Sequence, residues 1–111
     1  MFSKRNVNSK SIVKVINLKK ISSLKHKKYR EKNRLFICEG KRSILSALLT
    51  PQVIYKLYFS NSFKLNNKEI INKTNRLKIP SEVLPKKKLE SLSQTKSPPG
   101  ILALCFLPIN T

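Results

Sequence analysis

The chain has 111 residues, and its 24 Lys and Arg against 5 Asp and Glu give it a formal charge of +19. This length suits a single small domain, and a hydrophobic fraction of 40% is enough for a core. With no Asp, one His and two Gly, the composition argues against Asp-based catalytic triads, carboxylate dyads and Gly-rich phosphate loops. No apolar run approaches the ~20 residues of a membrane-spanning helix, so no membrane partner is expected.

The first half of the chain predicts a helix, a strand and a second helix. Residues 10–28 predict a basic amphipathic helix, because apolar residues recur at helical spacing on one face: Val13, Ile16, Ile21 and Leu24. The apolar run 35–38 predicts a short strand covered on both faces, closed by Glu39 and Gly40. The spacing of four apolar residues predicts a second helix, which Pro51 ends: Ile44, Leu45, Leu48 and Leu49.

The second half predicts two further helices and three strands. Residues 53–59 are β-branched and aromatic and predict a strand, and 77–79 form a weaker strand candidate. The Asn- and Lys-rich stretch 61–75 is interpreted as a surface loop with a short helix. Pro85 suits the first turn of a helix that ends before the turn 97–100, with Leu89 and Leu92 facing inward. Residues 101–106 predict the last strand.

Helices and strands therefore alternate along the whole chain. Such alternation favours parallel pairing, because each crossover carries a helix back over the sheet. The predicted fold is a three-layer α/β/α sandwich with a small, mostly parallel, four-stranded sheet.

The positive charge is concentrated toward the amino end, where residues 1–42 hold 14 basic and 2 acidic side chains. This density, highest over residues 25–34, predicts a nucleic-acid partner. AT-rich coding is an alternative source of the charge, since Lys (19) far outnumbers Arg (5), and a solvated basic face is another. The candidate RNA-binding side chains are Lys25, Lys27, Lys28, Arg30, Arg34, Lys41 and Arg42.

Other chemically active residue types favour structural roles. Cys38 and Cys105 lie in apolar runs and predict reduced, buried thiols of a cytoplasmic protein. The basic, acid-free start of the chain would also suit an organellar transit peptide. His26 lies among cations, so no metal site is expected.

Glu39 is interpreted as structural, stabilising the start of a helix and pairing with Arg30 or Arg42. Gly40, Pro99 and Gly100 are assigned to turns. The aromatic side chains expected in the core rather than stacked on bases are Tyr29, Tyr55, Tyr58 and Phe59.

Two segments of the chain carry a family resemblance. Residues 19–40 read KKISSLKHKKYREKNRLFICEG and lead into KRSILSAL, and residues 89–104 read LESLSQTKSPPGILAL. In this order and at this separation they resemble the amino-terminal substrate-binding domain of the SpoU/TrmH family of RNA 2′-O-ribose methyltransferases. The resemblance sets expected boundaries: a basic segment over 1–18, the RNA-binding domain over 19–107, and a tail over 108–111. Asn33 stands where the family often has Gly, and we expect it to adopt the left-handed turn there.

The resemblance implies a fold like that of small ribosomal proteins that bind kinked RNA, and ribosomal or transfer RNA as the partner. In that family a knotted domain binds S-adenosylmethionine, and this chain ends where that domain should begin. The chain alone is therefore expected to hold no cofactor and no catalytic residue, and a separate methyltransferase domain is a candidate partner. The alternatives are a stand-alone ribosome-associated or structural RNA-binding protein of the same fold, and a truncated gene product without function.

Overall fold

The computed structural model of the chain describes residues 18–95 and 99–107. None of the helices in these ranges has the length and hydropathy of a membrane span. The elements in chain order are α1 (Leu18–Ser23), α2 (Lys27–Asn33), β1 (Leu35–Glu39), α3 (Lys41–Ala47), a 3-10 turn (Pro51–Val53), β2 (Ile54–Phe59), α4 (Asn61–Asn66), α5 (Lys68–Arg76), β3 (Ser81–Val83), α6 (Lys86–Leu92) and β4 (Ile101–Phe106).

The four strands form one mixed sheet in the order β1-β4-β2-β3. β4 is antiparallel to both of its neighbours, β1 and β2, and only β2 and β3 pair in parallel. The prediction of a mostly parallel sheet was therefore wrong in this detail. The last strand enters the sheet between β1 and β2, and the alternation of helices and strands along the chain does not reveal that insertion.

Helices cover both faces of the sheet, which confirms the three-layer α/β/α architecture. On one face, α3, α4 and α5 pack against Ile101, Ala103 and Cys105 of β4. On the other face, α1 and α6 pack against Leu102 and Leu104. β4 is one of the two inner strands, and its side chains, which point alternately to opposite faces, are buried on both. This explains why its sequence is an uninterrupted apolar run.

The helix predicted over residues 10–28 is divided in the part that the structure describes. Residues 10–17, including Val13 and Ile16, lie outside the described ranges. Beyond them, α1 ends at Ser23 and α2 begins at Lys27. Tight turn hydrogen bonds, such as the one from the His26 N–H to the Ser23 carbonyl oxygen (3.0 Å), close the break between them. Ile21 and Leu24 are fully buried, so the predicted apolar face of this segment is confirmed.

Two predictions in the middle of the chain need correction. The stretch 61–75 forms two helices, α4 and α5, and the Ser60 hydroxyl caps α4 by accepting a hydrogen bond from the Phe63 N–H (3.1 Å). The strand predicted at 77–79 lies instead at 81–83. Lys78 adopts a left-handed conformation (φ 58°) that ends α5, and Ile79 is buried in the core. The residues of 77–79 therefore form the turn into β3.

Candidate nucleic-acid interface

The densest group of exposed cations lies on α2 and on the turn before it. Lys25, Lys27 and Lys28 are all exposed, and no residue of α2 is buried. The Lys27 ammonium lies 3.9 Å from the Glu31 carboxylate in an exposed pair one helical turn apart. An exposed pair of this kind contributes little to stability, so Lys27 remains available to a phosphate. The three lysines form a surface of one sign, here called the α2 cluster.

Arg30 differs from these lysines, because its guanidinium group holds the fold together. Its Nη1 atom donates to the carbonyl oxygens of Leu24 (3.1 Å) and Lys25 (2.8 Å), which the break between α1 and α2 leaves outside a regular helix. A guanidinium group has five N–H donors, so Arg30 retains others. Its first role is to fix the turn that presents Lys25.

Tyr29 is more exposed than the sequence interpretation assumed. Its side chain is 37% exposed on α2, so assigning it to the core was wrong, whereas Tyr58 and Phe59 are buried as predicted. The Lys28 ammonium lies 5.6 Å from the centre of the Tyr29 ring. An exposed aromatic ring among cations is suited to stacking on an RNA base. The signal available in the sequence was its position between Lys28 and Arg30 rather than in an apolar run.

The last residue before β1 carries the left-handed turn that was predicted for Asn33. Asn33 is instead the final residue of α2, and its side-chain amide donates to the Tyr29 carbonyl oxygen (2.8 Å). Arg34 takes the left-handed conformation (φ 60°, ψ 35°) at the end of the helix. Its side chain is exposed at the start of β1, beside the α2 cluster.

Lys41 and Arg42 lie at the opposite end of β1, in the first turn of α3, and both are exposed. Gly40 precedes them with φ 95°, a backbone conformation that favours glycine, and its carbonyl oxygen accepts the first helical hydrogen bond from Ile44 (2.9 Å). The predicted structural role of Gly40 is therefore confirmed. The five residues of β1 separate this pair from Arg34 by ~16 Å, at ~3.3 Å per residue.

The predicted basic residues thus form two groups rather than one. Arg34 directly precedes β1, Lys41 and Arg42 follow its end, and the α2 cluster lies at the amino end of α2. β1 is an edge strand of the sheet. The structure therefore places cations at both ends of this edge strand.

Glu39 joins the two sequence segments that carried the family resemblance. Its carboxylate accepts hydrogen bonds from the Ser93 hydroxyl (2.6 Å) and from the Gln94 N–H (2.5 Å). The Ser93 hydroxyl also lies 3.1 Å from the Thr95 hydroxyl, and Ser93 is buried. Glu39 thus has a structural role, but it joins two distant segments and does not cap the start of α3. The predicted partners are wrong, since within the described residues the carboxylate forms no ion pair with Arg30 or Arg42.

Through these hydrogen bonds, Glu39 holds the end of α6 against the end of β1. This contact fixes Ser93 and Gln94 beside the end of β1. Gly100 has a φ of 83°, and its carbonyl oxygen accepts a hydrogen bond from the Ser60 N–H (3.0 Å). The turn assignment for Gly100 is thus confirmed.

The two cysteines are free thiols on neighbouring strands. Cys105 is buried, as predicted, whereas Cys38 is only half-buried. A hydrogen bond from the Cys105 thiol lowers the pKa of Cys38 to about 7, and the same interaction together with burial raises the pKa of Cys105. Cys38 is therefore the more reactive thiol of the two.

The described residues offer no cluster of three or more His, Cys, Asp or Glu side chains that could hold a metal ion. His26 lies on the exposed turn before α2, with its ring 6.4 Å from that of Tyr29. The chemistry of this surface is that of cations, the Tyr29 and His26 rings and backbone.

Together, the mixed sheet between two helical layers and the cations along one sheet edge define a small basic α/β binding domain. The family model of the MRM3-like substrate-binding domain matches residues 16–103, and the chain belongs to this family. The resemblance to the substrate-binding domain of SpoU/TrmH enzymes is thereby confirmed. No curated protein matches the chain.

Solved methyltransferase structures share the fold. The SpoU methyltransferase AviRb from Streptomyces viridochromogenes, in complex with AdoMet, has a TM-score of 0.67 at 15% identity over 85% of this chain and 36% of its own. A structure described as an RNA 2′-O ribose methyltransferase has a TM-score of 0.65 at 25% identity over 85% of this chain and 35% of its own. An AdoMet-bound rRNA methyltransferase from Sinorhizobium meliloti has a TM-score of 0.64 at 19% identity, covering 84% and 34% of the two chains. The chain spans about a third of the length of each of these proteins.

Proposed function

We propose that this domain binds structured ribosomal or transfer RNA and recognises the substrate of a SpoU-type RNA 2′-O-ribose methyltransferase. The observation that carries the proposal is the pair of basic groups at the two ends of the β1 edge, in a chain that belongs to a substrate-binding family. An RNA strand that follows this edge meets the α2 cluster and Arg34 at one end and Lys41 and Arg42 at the other.

Each group in this arrangement has a distinct task. The lysines and arginines neutralise phosphates and fix the register of the RNA, which by itself conveys no sequence preference. Tyr29 offers a contact suited to an unstacked base, as RNA recognition commonly uses single-stranded bases stacked on aromatic rings. Arg30 and Glu39 also position this surface, since Arg30 holds the turn before α2 and Glu39 holds the residues after α6 to the end of β1.

The position of the α2 cluster also suits a task in catalysis. The Leu107 N–H donates to the Arg34 carbonyl oxygen (2.9 Å), so the chain leaves β4 beside α2. A catalytic domain that followed residue 107 in a longer protein would begin next to the bound RNA. The contribution of this domain to methyl transfer is then positional, since it holds the target ribose near a donor site that other residues provide. S-adenosylmethionine would be bound by that catalytic domain.

The test is the salt dependence of RNA binding in two matched variants of the full chain. One replaces Lys25, Lys27 and Lys28 with Ala. The control replaces three exposed lysines of α6 with Ala: Lys86, Lys87 and Lys88. Arg30 is left intact because its loss would loosen the turn before α2.

Fluorescence anisotropy with labelled ribosomal and transfer RNA fragments measures the affinity at several salt concentrations. We expect the α2 variant to lose about 0.7 to 0.9 of logarithmic salt slope for each phosphate contact removed, and the α6 variant to lose less. Equal losses in the two variants would show that the charge acts only in bulk, and a flat salt titration of the unaltered chain would refute RNA binding through phosphates.

A further inference from the structure

Helix α3 and the turn after it carry leucines that face away from the core: Leu45 lies in α3, and Leu49 lies two residues past its end at Ala47. Ile44 and Leu48 are buried against the sheet, whereas Leu45 and Leu49, one position further along, are 43% and 77% exposed. Leu65 on α4 is 60% exposed. A helix that faces solvent normally carries polar residues on its outer side, so three leucines on one side of the layer need an explanation.

These leucines line one continuous groove. A cavity of about 610 Å³ lies between α3 and the α4–α5 pair and is lined in part by Leu45 and Leu65. A second cavity of about 510 Å³ continues along α3 past Leu45 to Leu49. Lys41 and Leu45 line both cavities, so the two form a single trough. We call it the leucine groove.

The rim of the leucine groove is positively charged. Four cations line the two cavities against one carboxylate, that of Glu69. The cations are Lys41, Arg42, Lys68 and Lys73. An apolar floor between basic rims is complementary to a helix that has leucine-like residues on one face and carboxylates beside them.

We propose that the leucine groove docks an acidic amphipathic helix of a partner protein. The occupant buries its apolar face on Leu45, Leu49 and Leu65, and its carboxylates pair with the surrounding lysines. This proposal does not rest on the RNA-binding function: the groove shares Lys41 and Arg42 with the proposed RNA surface, but its apolar floor of Leu45, Leu49 and Leu65 is not part of that surface.

Two other occupants fit the groove less well. RNA would satisfy the cations, but no aromatic ring lines either cavity, so a base would find no ring on which to stack. A second copy of the chain, itself carrying +19, would bring like charges together across the interface. An acidic helix matches both the charge and the apolar surface.

The probe is a synthetic 16-residue helical peptide with Leu at positions three and four apart on one face and Glu on the remaining positions. Its affinity for the full chain is measured by fluorescence anisotropy. The test variant replaces Leu45, Leu49 and Leu65 with Ser, and the matched control is Leu77→Ser, an exposed leucine (39%) at the end of α5 that does not line the groove. Circular dichroism verifies that both variants are folded.

We expect the triple variant to bind the peptide at least tenfold more weakly and Leu77→Ser to bind it as the unaltered chain does. A peptide with Lys in place of Glu should not bind. Unchanged peptide affinity in the triple variant would overturn the proposal, because it would show that the peptide binds through the net charge of the chain and not through the leucines.

Three further results would assign the groove to another occupant and also overturn the proposal. A loss of RNA affinity in the triple variant would assign the groove to RNA. A dimer seen in sedimentation that disappears in the triple variant would assign it to a second copy. Methyl resonances of Leu45 and Leu49 that shift on Ile16→Ser would assign it to the chain's own first residues.

Discussion

Arg34→Gly should stabilise the fold while weakening RNA binding. Arg34 lies in the left-handed region (φ 60°, ψ 35°) with its side chain exposed. A residue with a Cβ atom costs ~1–2 kcal/mol in that conformation, and glycine loses ~0.5–1 kcal/mol more than alanine in backbone entropy when it folds. The difference predicts a gain of ~0.5–1 kcal/mol in the free energy of unfolding. The same change removes one cation from the start of the β1 edge.

Lys78→Gly is the matched control for this prediction. Lys78 has nearly the same backbone conformation (φ 58°) and is also exposed, but it ends α5, away from the β1 edge. Both variants lose one positive charge and one strained residue, so urea unfolding should show a similar gain in stability for each. Only Arg34→Gly should weaken RNA binding and reduce the logarithmic salt slope by about 0.7 to 0.9. Equal RNA affinities in the two variants would refute a specific role for Arg34, and a destabilised Arg34→Gly would refute the strain argument.

Three further predictions concern Glu39, the thiol pair and the methyl donor. In a urea titration, Glu39→Ala should lower the free energy of unfolding by ~1–3 kcal/mol, because it leaves the buried Ser93 hydroxyl without its carboxylate acceptor. The control Glu31→Ala removes one member of an exposed ion pair and should change the free energy of unfolding by less than ~1 kcal/mol. The rate at which Cys38 reacts with iodoacetamide should fall with a midpoint at pH about 7, because its lowered pKa preserves the reactive thiolate down to that pH. Cys105→Ala should move this midpoint to higher pH, and an unchanged midpoint would exclude the thiol–thiol hydrogen bond as the cause. Titration calorimetry of the chain with S-adenosylmethionine should show no binding, and a radiolabelled assay on ribosomal and transfer RNA should show no methyl transfer. Activity restored by a separately expressed knotted domain would identify the chain as half of a split enzyme, whereas activity of the chain alone would contradict its assignment as a substrate-binding domain.

The sequence predicted the elements with strong local signals and missed those that depend on distant partners. β1 and β4 are short apolar runs, and both were located to within a residue. The direction of β4 was not predictable, because it depends on the insertion of β4 between β1 and β2. The strand prediction at 77–79 was wrong for a local reason, since the apolar Ile79 is buried in the core but lies in a turn and not in the sheet.

In the candidate site, too, local features were predictable from the sequence and long-range contacts were not. The basic residues were recognisable from charge alone, but their separation by the length of β1 was not. The role of Glu39 was recognised as structural, yet its partners Ser93 and Gln94 lie 54 and 55 residues away in the sequence. Arg30 was predicted only as an RNA-binding cation, because no sequence pattern shows that its guanidinium also holds a turn. Tyr29 was missed because an aromatic residue is more often buried than exposed.

The central claim is that RNA lies along the β1 edge, and the most direct measurement is an amide NMR titration of the full chain. Unlabelled ribosomal and transfer RNA stem-loops are added to the ¹⁵N-labelled protein, and shifted resonances are mapped onto the fold. We predict that the shifts concentrate at residues 25–34 and 40–42, with the amides of α5 and α6 unaffected. Shifts confined to α6, or spread evenly over every exposed lysine, would contradict the claim.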